Sequence, residues 1–100
     1  MKTVFLNGHY IAEDQAQVSV FDRGFLFGDS VYEVIPFYRG VGFRLDEHLQ
    51  RLQHSLQAIQ IVAEQDWEAI LTRLVTLNGG GNLSVYLQIS RGDSGRRSHI

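Results

Sequence analysis

Three groups of side chains in this 100-residue sequence have the types and spacing to do chemistry. The first is His48, Arg51 and Ser55, separated by steps of three and four. On a helix turning ~100° per residue these share one flank. A guanidinium is a rigid fork of donors that fits phosphate or carboxylate. This flank is therefore either a solvated helix side or an anion site. The second group is Arg91, Arg96, Arg97 and His99. It reads as a solvated charged loop or as a carboxylate clamp, since arginine and histidine on one loop hold a carboxylate by charge-assisted bonds. Arg91 is expected to brace the base of that loop. The third is Tyr32, with Val34 and Pro36 on its side of a strand. A tyrosine there either fills a core with its hydroxyl satisfied or lines a pocket. His9 and His54 have no metal-ligand spacing and read as surface residues, so no metal site is expected. His48, Asp22, Arg23 and Asp29 read as structural, holding a turn and a helix start. Glu33, polar on an apolar face, is expected to be solvent-exposed at a sheet rim.

The elements that position these groups begin with residues 22–38. Their first half is a turn-like segment with Gly24 and Gly28. The second half is a strand with Val31, Glu33, Ile35 and Phe37 on one side and Tyr32, Val34, Pro36 and Tyr38 on the other. Two largely apolar sides predict a central strand covered on both faces. Pro36 cannot donate to a ladder and predicts an edge, a bulge or a strand end. Upstream, Thr3 to Leu6 and His9 to Ile11 flank Asn7-Gly8, the strongest short hairpin signal. Gln17 to Val20 alternates polar and apolar and predicts a further strand. Arg39 to Gly42 predicts a turn, with Phe43-Arg44 as a short return strand. The first forty-odd residues thus read as an antiparallel sheet.

The period then changes. Leu45, Leu49, Leu52, Leu56 and Ile59 follow alternating steps of four and three, an amphipathic helix. A second helix spans residues 66–77, with Trp67, Ile70, Leu71 and Leu74 as its apolar stripe and a weakly signalled start. Asn78 and Gly79-Gly80-Gly81 cap and break it. Residues 83–90 form a strand, with Leu83, Val85, Leu87 and Ile89 on one face. The predicted class is α+β, a two-layer domain with a mostly antiparallel sheet and two helices packed on one side.

Three ordered blocks carry a family resemblance: Asp22-Arg23-Gly24 through Val34, then Glu47-His48-Leu49 with Arg51-Leu52, then residues 86–92 with Arg97-Ser98-His99. Together they resemble the class IV (fold type IV) pyridoxal-phosphate aminotransferases, most nearly the D-amino acid branch. Branched-chain aminotransferases and aminodeoxychorismate lyases share that fold. The resemblance implies a D-amino acid aminotransferase-like N-terminal domain. It also implies pyridoxal 5'-phosphate as cofactor, amino acid and 2-oxo acid substrates, and a homodimer. It assigns Arg51 to the cofactor phosphate, and Tyr32 and Val34 to the substrate pocket. Arg97 and His99 become a carboxylate clamp reaching the neighbouring subunit's site. The loop is one residue longer than the family pattern, so Arg96 is the alternative arginine. Pro36 stands where the family often has a polar or basic residue, which leaves the substrate side chain open.

Counts limit the alternatives. One hundred residues is one domain at most. A net charge of −2 offers no nucleic-acid footprint. The absence of cysteine removes disulfides and thiolate sites. With neither a membrane-length apolar run nor a signal peptide, a cytoplasmic protein is expected. The only lysine is Lys2, outside every matching block, whereas this chemistry needs a desolvated lysine amine. The chain is therefore expected to be an inactive N-terminal fragment of a two-domain enzyme, with no catalytic residue of its own. A different class, a non-catalytic dimerisation or anion-binding module, also accommodates the missing lysine.

Overall fold

The computed structural model describes residues 2–22 and 30–91. Residues 23–29, with Gly24 and Gly28, lie outside the described residues, as do Arg96, Arg97 and His99. Asn7-Gly8 folds the chain back on itself as expected. Strand β1 (Thr3–Leu6) pairs antiparallel with β2 (His9–Ala12), Thr3 facing Ala12 and Leu6 facing His9. Both turn residues have positive φ, 50° and 88°, the geometry a two-residue type I′ hairpin requires. A short 3-10 turn follows at Glu13–Gln15. Gln17 to Val20 is not a strand: Val18 and Val20 stay 62% and 63% exposed. Alternation alone does not make a strand, and residues 17–20 pair with none of the described strands. The single N-terminal sheet expected from sequence is accordingly two separate sheets.

The second sheet has the order β4-β3-β5, antiparallel throughout, with β3 at Ser30–Tyr38, β4 at Val41–Gly42 and β5 at Leu83–Ser90. Strand β3 is central, as predicted, but only one of its faces is covered. Ile35 and Phe37 are buried, while Tyr32, Val34 and Tyr38 are exposed. The β3–β4 turn is Arg39-Gly40 alone, again with two positive φ values. Pairing therefore resumes at Val41, and Phe43-Arg44 lies beyond the strand. Pro36 neither ends nor bulges β3, and faces Ser84 in regular register. A residue's N–H and C=O point to the same neighbour in an antiparallel ladder. The Pro36 carbonyl accepts from Phe43 N at 2.8 Å, so its missing N–H points to the β4 side, just past the end of the β4 ladder. Nothing is lost from the pairing with β5.

Helix α1 runs Leu45–Ala58 and α2 runs Trp67–Leu77. The start of α2 has a cap that its sequence signalled after all: Asp66 accepts from Ala69 N at 3.1 Å. Its end turns through Gly79, and Gly80 N reaches the Val75 carbonyl at 2.9 Å, the six-to-one bond of a Schellman motif. Both helices pack on the Ile35/Phe37 side of the sheet. The core is Ile35, Phe37, Leu71, Val75 and Val85, fringed by Leu45, Leu49, Leu74 and Leu83. This is the two-layer α+β arrangement with both helices on one side. No helix among the described residues is long and apolar enough to cross a membrane.

Asn78 does more than end α2. Its side chain accepts from Thr3 N at 2.9 Å and donates to the Thr3 and Leu74 carbonyls, each at 2.8 Å. It thereby fastens the first hairpin to the helical layer. Asn78→Ala strands part-buried backbone groups on both elements, and should cost about 1–3 kcal/mol. Hydrogen exchange at the Thr3 amide, which loses its Asn78 acceptor, should accelerate before exchange in β3. Uniform acceleration across both sheets would argue against a local tether.

Candidate functional site

The site grows from the period of β3. Glu33 shares a face with Ile35 and Phe37, so alternation directs its carboxylate under the helical layer. It is 5% exposed, which corrects the expectation of a solvated rim residue. Burial is possible because α1 brings two donors to meet it. Arg51 Nε donates to Glu33 Oε2 at 2.9 Å, and Arg51 Nη2 to Oε1 at 2.8 Å. His48 Nδ1 lies 2.8 Å from the same Oε1. The Glu33 carboxyl is held below the ordinary glutamate range, first by the Arg51 hydrogen bonds, against the opposing effect of burial, and with help from His48. An ionised carboxylate only accepts, so His48 Nδ1 carries the proton. The 3.4 Å approach of Arg51 Nη2 to His48 Nδ1 then joins two donors and is not a bond.

Glu33 grips Arg51 along one edge only. The side edge, Nε with Nη2, is taken; the end edge, Nη1 with the second Nη2 proton, has no partner among the described residues. The Arg51 side chain is 66% exposed although its partner is buried. Pairing with Glu33 also raises the Arg51 pKa, so the guanidinium stays charged. The flank read from spacing thus bears a tethered cation with a vacant fork. Ser55 on the same flank is half-buried.

Tyr32 and Val34 lie on the opposite face of β3. Tyr32 is 62% exposed, which overturns the core-filling alternative, and stacks on Tyr86 of β5 with ring centroids 5.6 Å apart. Gln88 joins this open face, accepting from the Tyr86 hydroxyl at 3.3 Å and donating to Ser30 Oγ at 3.1 Å. Sequence reasoning gave Tyr86 and Gln88 no role; their cross-strand register with β3 was the missing signal. Arg51 and Tyr32 are therefore not in one pocket. Between the two faces lies the edge of β3, which β4 covers at Phe37 and Tyr38 alone among the described residues. A cleft lined by Gly40, Leu45 and Thr72 lies elsewhere and holds none of these residues.

The remaining candidates fall as follows. His9 and His54 are exposed, as read. Asp22 accepts from Ser90 Oγ at 3.1 Å, joining the chain before β3 to the end of β5. Arg91 donates through Nη2 to the Ile59 carbonyl at the end of α1, a bracing role like the one expected. Lys2 is exposed, its carbonyl accepting from Glu13 N at 2.9 Å. Among the described residues no three His, Cys, Asp or Glu side chains are grouped to hold a metal ion.

Comparison with known proteins identifies the fold and the family. The family model of class IV amino-transferases matches residues 30–99. A D-alanine aminotransferase of Listeria monocytogenes is 38% identical over 100 residues, covering 97% of this chain and 35% of that protein. An aminodeoxychorismate lyase of Bacillus subtilis is 40% identical over 96 residues, covering 91% of this chain and 33% of that protein. The branched-chain amino acid aminotransferase of Escherichia coli superposes with a TM-score of 0.83 at 25% identity, covering 92% of this chain and 34% of that one. The chain thus spans about a third of the length of the curated relatives it matches. On the matched segment and the shared α+β fold, the chain belongs to the class IV aminotransferase family.

Proposed function

We propose that residues 1–100 are the N-terminal domain of a longer, cytoplasmic, homodimeric pyridoxal-phosphate aminotransferase. It would pass the amino group of a D-amino acid such as D-alanine or D-glutamate to a 2-oxo acid. The observation that carries this reading is the vacant end edge of Arg51. A charged fork, locked from behind and open in front, suits a phosphate monoester. The cofactor, when bound, supplies an electron sink for the bond broken at the substrate α-carbon. This chain's residues bind and orient. Arg51 holds the phosphate, and Tyr32 and Val34 wall the substrate. Arg97 and His99, or Arg96 in place of Arg97, hold the α-carboxylate in a neighbouring subunit. Lys2 is exposed, not enclosed as the amine of a covalent cofactor lysine must be. The covalent lysine therefore belongs to a second domain.

The test uses the complete polypeptide. Absorbance near about 400 nm, lost on borohydride treatment, is expected for lysine-bound pyridoxal phosphate. D-alanine with a 2-oxo acid should yield pyruvate, and residues 1–100 alone should yield none. Arg97→Ala should lower kcat/KM about ten- to a hundred-fold with cofactor affinity retained. The same loss from Arg96→Ala alone would move the clamp by one position. The matched lyase supports a second reading, aminodeoxychorismate lyase. Pyruvate formed from aminodeoxychorismate and not from D-alanine would select it, and turnover of branched-chain L-amino acids alone would select the branched-chain branch.

A further inference from the structure

We propose that Glu33 is the positioning residue of the anion site, fixing Arg51 so that its end edge, and not its side edge, meets the cofactor phosphate. This rests on the reading that Arg51 binds that phosphate. A guanidinium has five N–H donors, and Glu33 engages one on Nε and one on Nη2. The pair left parallel on the end edge is the pair a phosphate can bridge. Glu33 thus serves the phosphate without competing for the same donors. The lock is two-sided, because the Nδ1 proton of His48 occupies Oε1 from another direction. The carboxylate is itself immobile, buried on a central strand that pairs Glu33 with Leu87. An exposed arginine ordinarily samples many rotamers, and ordering it on binding costs conformational entropy. Here the cost falls on folding, and the ligand meets a prearranged fork. Glutamine at position 33 keeps the shape but turns an –NH2 toward a donor on Arg51 or His48, so the grip fails on one side.

The experiment titrates the apo form of the complete polypeptide with pyridoxal phosphate and, separately, with pyridoxal, following fluorescence. Glu33→Gln should weaken pyridoxal phosphate about tenfold and leave pyridoxal within about twofold. In an Arg51→Ala background it should add nothing, since both substitutions remove one interaction. Equal weakening of both ligands would mean a general structural role and overturn the proposal. So would unchanged pyridoxal phosphate binding by Glu33→Gln where Arg51→Ala weakens it, which leaves the anion-site reading standing. If Arg51→Ala itself changes nothing, that reading fails and this inference with it. Arg51→Lys is the second variant, for use if Glu33→Gln does not fold. One ammonium cannot serve carboxylate and phosphate through separate fixed edges, so a similar tenfold loss is expected, and full retention of affinity overturns the proposal.

Discussion

Phe37→Ala should lower the unfolding free energy by about 3–5 kcal/mol, as large aromatic-to-alanine truncations in cores do. Phe37 is 1% exposed and sits mid-sheet among Ile35, Val85, Leu71 and Val75. The surroundings cannot close over the space it leaves. Gly42, across the ladder, is already the smallest residue, and a Cβ built there would stand 3.3 Å from the Phe37 ring and 3.1 Å from Leu45 Cβ. The β4 backbone thus forms one wall of the ring's socket, and backbone relaxes less than side chains. Urea unfolding should show a lower midpoint at unchanged slope. A loss below about 1 kcal/mol would mean that the helices settle into the void.

Arg51→Ala should blunt the part of the fold's acid response that comes from Glu33. In the unaltered protein the Glu33 carboxyl is held down chiefly by Arg51, against burial. A depressed folded pKa contributes stability that is present above the ordinary glutamate value of about 4.3. That contribution is lost as pH falls through the depressed folded value. Without Arg51 the largest lowering influence is gone, while burial still raises the pKa and His48 alone opposes it. Protonation then relieves a poorly paired buried charge instead of breaking a good pair. The variant should be less stable near neutrality, and the deficit should shrink as the pH falls toward 3–4, below the ordinary glutamate range. Urea midpoints of both proteins between pH 7 and pH 3 give this difference, in which the other titrating groups largely cancel. Parallel profiles would show that Glu33 is not under Arg51's control.

Local chemistry made most of the fold readable. Asn7-Gly8 forces its own hairpin, the leucine steps from Leu45 define a helix, and Asn78 with three glycines ends the next. Failures occurred where the outcome depended on a partner distant in sequence. Gln17 to Val20 has the alternation of a strand but pairs with none of the described strands. Phe43-Arg44 has strand residues, but the tight Arg39-Gly40 turn consumes the pairing register two residues earlier. The site divides in the same way. Helical spacing placed His48 and Arg51 on one flank. Their carboxylate stayed hidden because nothing local says which helix will cover Glu33, although its shared face with Ile35 and Phe37 pointed inward.

The β3–β5 ladder has a consequence for the order in which the chain can fold. Even its innermost pair, Phe37 and Leu83, is 46 residues apart in sequence, and its outermost, Ser30 and Ser90, is 60 apart. Both helices lie inside that interval. During synthesis at roughly 5–20 residues per second, β3 emerges and waits several seconds for its partner. The β1–β2 hairpin and α1 can form meanwhile from near-neighbour contacts, but the central sheet cannot. Its folding is governed by closing a long loop, which slows mainly non-local sheets. Over that interval the apolar residues of β3 depend on α1 arriving early to cover them. A nascent chain arrested before Leu83 should therefore be the species most prone to associate or to be held by chaperones.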